Sequence, residues 1–152
     1  MKPKTDELDK KILNYMIQNN TTTHKKIAEQ LNVTPTTIHK RITKLKKNDI
    51  LQGSQPQINL KQIGYDVTVV INAQTTKGQL EEAAQKWAKH NNVTSVYRIT
   101  GEYDIVVIAK FKNTQQLNQF NQKMVKDPLI QKTNTSLVFN TPKENTNPKQ
   151  IE

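Results

Sequence analysis

The stretch from Thr34 to Asn48, TPTTIHKRITKLKKN, holds five Lys or Arg and one His, with no Asp or Glu. Its side chains fall in an order that suits a nucleic-acid groove, threonines first and lysines last. Threonine can touch the methyl of thymine or hydrogen-bond a base edge, whereas Lys and Arg reach guanine or a backbone phosphate. The competing reading is a solvated basic helix, the common fate of a Lys/Arg-rich segment. An ordinary surface helix, however, mixes charge signs so that i,i+4 pairs form, and here the acidic partners are missing. The candidate contacts with double-stranded DNA are therefore Thr34, Thr36, Thr37, His39, Lys40, Arg41, Thr43, Lys44 and Lys47.

No comparable set points to catalysis. The second half of the chain has one histidine, His90, two serines, Ser95 and Ser136, and no cysteine. His90 sits where a helix should end, and pairing with the helix dipole in solvent is its expected role. Glu81 and Glu82 are adjacent on a helix and cannot converge on one atom. Glu102 and Asp104 share a turn without a base or nucleophile near them in sequence. Glycines 53, 64, 78 and 101 never take a phosphate-loop spacing. The expectation is a protein that is not an enzyme, with no metal and no cofactor.

The elements that must position the basic stretch are three helices. Leu8, Ile12, Tyr15 and Met16 recur at i, i+4, i+7 and i+8, one face of a helix over 6–20. Asn19-Asn20-Thr21 stops it, Thr23 caps a second helix carrying Ile27, Ala28 and Leu31, and Asn32 ends that. Thr34 then serves as N-cap and Pro35 as first helical residue, where its missing N–H is harmless. In the third helix Ile38, Ile42 and Leu45 form the inward stripe. Thr36, Lys40, Thr43 and Lys47 stand opposite, and Asp49 is a left-handed stop. Two helices joined by so short a turn make a helix-turn-helix, whose second helix brings its first turns to base edges.

Beyond Ile50 the texture changes. LQGSQPQINL reads as an irregular edge strand, because Gly53 and Pro56 weaken pairing. Then follow VTVVINA (strand), QLEEAAQKWAKHN (helix), VTSVYRIT and YDIVVIAKF (strands about the turn Gly101-Glu102), TQQLNQFNQKMVKD (helix) and IQKTNTSLVFN (strand). The order βαββαβ is that of a ferredoxin-like sandwich, so the fold class is α+β. In YDIVVIAKF, Tyr103, Ile105, Val107, Ala109 and Phe111 share one face, while Val106 and Ile108 share the other. Both faces are apolar, and helices on one side cannot cover both. A homodimer joined sheet to sheet supplies the second cover, and a charge at Ile105 or Val107 is expected to disrupt it. The expected division is a helix-turn-helix domain over 1–50, a connecting strand over 51–66, the βαββαβ sensing and oligomerisation domain over 67–141, and a flexible tail over 142–152.

The totals agree. In 152 residues the formal net charge is +10, and residues 1–60 hold 11 Lys/Arg against 5 Asp/Glu, net +6. Such a balance seeks a polyanion. The start, MKPKTDELDKK, has no apolar core for a leader, and no apolar run is long enough to span a bilayer. A soluble, cytoplasmic protein with no membrane partner is expected.

LDKKILNYMIQNN, KKIAEQLNVTPTTIHKRITKLKKNDILQG and the turn TGEYDIVV together resemble the Lrp/AsnC (feast/famine) family of transcriptional regulators over about residues 6–140. Asp49 stands where members usually have Gly, and Thr21 where many have Arg. The resemblance implies a winged helix-turn-helix followed by a dimeric α+β barrel domain, dimers that assemble to tetramers or octamers, and an amino-acid effector. It places that effector at Thr100, Gly101, Glu102, Tyr103 and Asp104 of the turn, with Thr133 and Thr135 of the last strand. Two readings stand side by side: a transcriptional regulator, or a small-molecule-binding or catalytic α+β barrel with an accessory basic helical domain.

Overall fold

The computed structural model of the chain describes residues 5–19, 21–53 and 56–152. They form two compact units, Met1–Gln57 with Lys143–Glu152, and Ile58–Pro142. Among the described residues no helix is long and apolar enough to cross a membrane.

The first unit is built from α1 (Glu7–Gln18), α2 (His24–Leu31) and α3 (Pro35–Lys47). Each start is fixed by a side chain that accepts an otherwise unpartnered N–H. Asp6 and Asp9 form a reciprocal capping box, Thr23 accepts the Lys26 N–H, and Thr34 accepts that of Thr37 ahead of Pro35. Asn32 ends α2 in the left-handed region at φ 53°, and Asp49 does so beyond α3 at φ 54°. Ile12, Ile27, Ala28, Ile38 and Ile42 make the core, with Leu8, Leu31 and Val33 packed against it. Of the expected stop Asn19-Asn20-Thr21, Asn19 caps the end of α1, its N–H donating to the Tyr15 carbonyl, and Asn20 lies outside the described residues.

One polar contact joins α3 to α1. Arg41 Nη1 donates to the Asp6 carboxylate and, at 3.2 Å, to Asp9 Oδ1. Asp9 is among the few buried charged residues, 1 % exposed. The Arg41 hydrogen bond holds the Asp6 carboxyl below its ordinary pKa, and Asp6 in turn raises that of the guanidinium.

The expected strand over 51–60 is not found. Its described residues pair with no strand, and Leu60–Ile63 instead form a short 3-10 helix, capped by Asn59 and closed by Gly64 at φ 87°. Gly53 at φ 112° and Pro56, without an N–H, explain why the ladder does not form; Ser54 and Gln55 lie outside the described residues. The described residues include the segment expected as a flexible tail, 142–152. It groups with the helical unit, where Asn14 of α1 accepts the Ile151 N–H at 2.7 Å and donates to its carbonyl at 3.0 Å. A primary amide offers both a donor and an acceptor, so one side chain can satisfy both backbone groups of a single residue.

The second unit runs β1 (Val67–Thr75), α4 (Leu80–Ala88), β2 (Val93–Arg98), β3 (Ile105–Phe111), α5 (Thr114–Val125) and β4 (Ile130–Leu137). The strands are antiparallel in the order β2-β3-β1-β4. Both helices pack on one face, where Val69, Ile71, Ala73, Ile105, Val107, Ala109 and Phe111 meet Trp87, Phe120 and Met124. The opposite face carries Val70, Val106 and Ile108, half-buried, beside Tyr97, 56 % exposed. This corrects the expectation for Ile105 and Val107. They are core residues at 0 % exposure under the helices, and the uncovered face belongs to Val106 and Ile108.

The clamp between α3 and α1 yields a stability prediction. Arg41→Ala strands the buried Asp9 carboxylate and should destabilise the helical unit by about 2–3 kcal/mol in chemical denaturation. Because the folded pKa of Asp6 is lowered, the unfolded chain takes up its proton first as pH falls. Stability should therefore be fully present above about pH 4 and decline below it, and the variant should lose part of that slope. A midpoint unchanged by Arg41→Ala would show the clamp to be inert.

Candidate nucleic-acid interface and effector turn

Ile38, Ile42 and Leu45, all at most 4 % exposed, fix the rotation of α3 within its unit. The opposite row, Thr36, Lys40, Thr43, Lys44 and Lys47, is exposed. Among the described residues no carboxylate stands within ion-pairing distance of Lys40, Lys44 or Lys47. Such a row offers hydroxyls and ammonium groups together to a polyanion, and the cations keep their full charge for it.

The other expected contacts divide. Thr34 and Thr37 cap the helix: the Thr37 N–H donates to Thr34 Oγ1 at 3.2 Å, and the two hydroxyls lie 2.9 Å apart. Thr37 is half-buried, so it is better placed to set the entry of α3 than to read a base. His39 is exposed on the flank, its ring 5.5 Å from that of His24 at the start of α2. Arg41 is the clear exception, since its guanidinium is held by Asp6 and Asp9 within the unit. Helical spacing set Arg41 beside the exposed row, but it did not show that Asp6 and Asp9 lie across from it.

The turn between β2 and β3 is held from two sides. Ile99 N–H donates to the Asp104 carbonyl at 2.8 Å and Asp104 N–H to that of Ala73 at 3.0 Å. Asp104 Oδ2 accepts both the backbone N–H and the hydroxyl of Thr75, at 2.6 and 3.0 Å. Asp104 is thus a brace of the turn, and Gly101, at φ 116°, supplies the left-handed residue it needs. Thr100 and Glu102 are exposed beside it. Glu102 Oε1 accepts from Lys132 Nζ at 2.8 Å, and the same ammonium lies 5.5 Å from the centre of the Tyr103 ring. The hydrogen bond to Glu102 raises the Lys132 pKa.

Thr133 and Thr135 do not join that cluster. They pair with Ala73 and Ile71, so they lie on the helix-covered side of the sheet, and Thr135 Oγ1 donates to Asn121 of α5 at 3.4 Å. Lys132, one residue earlier, faces the opposite way with Gln74. Sequence reading missed Thr75 and Lys132, although the alternation along IQKTNTSL makes Lys132 the odd partner of the Thr pair. His90 also differs from expectation. Its ring packs edge-on against Phe120 at 4.7 Å and beside Trp87 at 6.2 Å, and burial, then Lys123, lowers its pKa.

The Lrp/AsnC ligand binding domain matches residues 68–148, and a winged helix-turn-helix DNA-binding domain matches residues 5–52. An HTH-type transcriptional regulator of Pyrococcus abyssi is 39 % identical over 139 residues, covering 91 % of this chain and 95 % of that protein. The HTH-type transcriptional regulator FL11 of Pyrococcus horikoshii is 31 % identical, covering 96 % and 97 %. The structure of E. coli AsnC has a TM-score of 0.84 at 31 % identity, covering 95 % of this chain and 98 % of that one. A crystal structure of a transcriptional regulator from Neisseria meningitidis in complex with L-Met shares the fold, with a TM-score of 0.88 at 21 % identity over 94 % and 95 % of the two chains. A winged helix-turn-helix, an antiparallel βαββαβ domain and these relatives together place the chain in the Lrp/AsnC family of transcriptional regulators.

Proposed function

We propose that the protein acts in the cytoplasm as a homodimer that reads double-stranded DNA by laying α3 in the major groove. The DNA-binding part ends near residue 50, and the part that joins copies and senses an amino acid begins near residue 67. It works by binding and not by catalysis. The observation that carries this reading is the exposed row of α3, hydroxyls at its N-terminal end and unpaired lysines toward its C-terminal end. A two-fold axis between copies would set two such helices about one helical turn, ~34 Å, apart. The uncovered sheet face with Val106 and Ile108 supports joining by that face, and dimers joined further into tetramers or octamers fit the same family. The L-Met complex of the Neisseria regulator supports an α-amino acid as effector. Lys132 is suited to its carboxylate and Glu102 to its ammonium.

Three outcomes test these parts. Lys44→Ala and Lys47→Ala should weaken binding to all duplex DNA alike and each lower the salt slope by about one charge. Thr36→Ala and Lys40→Ala should instead narrow the gap between operator and random DNA by about 1–3 kcal/mol per lost base contact. Identical behaviour of all four variants would contradict the division into base readers and phosphate anchors.

For assembly, Val106→Asp or Ile108→Asp should give a folded monomer in light scattering, since only the outer sheet face is altered. Ile105→Asp should unfold the domain, because a charge enters its own core. A dimer that survives both outer-face changes would remove the sheet-to-sheet contact.

For sensing, one of the twenty amino acids at millimolar concentration should raise the melting temperature in proportion to ln(1 + [L]/Kd). Lys132→Met should abolish that response with little change in the unliganded melting point. Asp104→Asn should lower the unliganded melting point too, through loss of the brace on Thr75. Twenty flat traces would leave an effector-free regulator.

A further inference from the structure

A cavity lies at the far end of β3 from the effector turn. It measures about 330 Å³, at the small end of ligand sites, and is lined by Tyr65, His90, Phe111, Lys112, Phe120 and Lys123, among others. β3 runs from Ile105, beside the turn, to Phe111, in the cavity wall. Seven residues at ~3.3 Å each separate the two places by roughly 20 Å.

The electrostatics of this cavity are one-sided. No carboxylate lines it, and among the described residues neither Lys112 nor Lys123 has an ion-pair partner. Lys112 Nζ instead sits 5.7 Å from the centre of the Tyr65 ring. His90 Nδ1 accepts the Asn92 N–H at 3.3 Å, so the neutral imidazole carries its proton on Nε2. His90 therefore has an N–H to donate in either protonation state. The remaining walls are the amides of Asn91, Asn92, Gln116 and Gln119 and the edge of an aromatic cluster, in which Phe111 and Phe120 lie 5.2 Å apart at 62° and His90 is edge-on to Phe120. Three donors, on α5 and on the connections that follow α4 and β3, without an acidic neighbour, form an anion site. Phe111 and Phe120 are buried in the core, so the half-buried Tyr65 is the ring that gives a flat group somewhere to rest. A DNA backbone would be better met by protruding lysines than by a concave pocket.

We propose that this cavity is a second small-molecule site, which takes a phosphate or carboxylate carried on a flat ring. Lys112, Lys123 and His90 Nε2–H hold the anion, and the ring rests against Tyr65. Trp87, the only tryptophan of the chain, lies 6.2 Å from the His90 ring and reports on occupancy.

The test uses the full chain and titrates Trp87 emission with AMP and benzoate as ring-bearing anions, inorganic phosphate as a bare anion, and adenosine as an uncharged ring. AMP or benzoate should give a saturable change, with adenosine and phosphate at least tenfold weaker. Lys112→Ala and Lys123→Ala, both surface changes, should each weaken the response about tenfold. By NMR, the imidazole of His90 should titrate at higher pH with the anion bound, because the anion favours the imidazolium and offsets Lys123. No saturable change, a change retained in both lysine variants, or phosphate matching AMP (an adventitious ion only) would each overturn the site. So would lysine variants that lose duplex affinity while keeping the AMP response, since the cavity would then be a backbone contact.

Discussion

A helix can turn only one stripe toward its own domain, and on α3 that stripe is Ile38, Ile42 and Leu45. Burying them removes apolar surface worth about 1.5–3 kcal/mol per side chain from water, so the helix is not free to rotate. Its remaining faces are then decided by 3.6-residue geometry. One flank places Arg41 against Asp6 and Asp9. The far side places Thr36, Lys40, Thr43, Lys44 and Lys47 in solvent. The three lysines of that row on a helix free to roll would define no surface. Held by three apolar anchors and one ion-paired arginine, they define a basic surface of fixed orientation within the helical unit.

The sandwich unit answers a different constraint. Two helices on one side of four strands cover the odd-numbered residues of β3 and leave the even-numbered ones uncovered. Val106 and Ile108 are poor residues to offer to water, and a second copy of the same face is the simplest cover. In the proposed dimer, joining copies would also strengthen the grip of a single helix, because two linked half-sites act at high effective concentration. The proposed assembly and the proposed recognition through α3 would in this way be two consequences of one amphipathic pattern per unit.

Local patterns were legible in the sequence because they depend on near neighbours. The caps at Thr23 and Thr34, the helix end at Asn32, the left-handed Asp49, the alternation along β3 and the βαββαβ order all follow from residues a few positions apart. What was misread depends on distant partners. Arg41 belongs with Asp6 and Asp9, Asp104 with Thr75, and Asn14 with Ile151, 137 positions away. No periodicity encodes such pairs. The side of β3 that the helices would cover was open for the same reason, since alternation gives two faces without saying which is inner. Within the candidate site, the cationic row was readable from helical spacing, but the Lys132–Glu102 pair needed the register of β4 against β1.

Hydroxyl-radical footprinting of the DNA upstream of the protein's own coding sequence tests the central claim most directly. Two short protected windows on one face of the duplex, related by a two-fold axis and centred about one helical turn apart, are the expected result. They should vanish when Thr36 and Lys40 are both replaced by alanine, while non-specific affinity persists. No protection at moderate salt, or the same two windows in that double variant, would contradict recognition through α3.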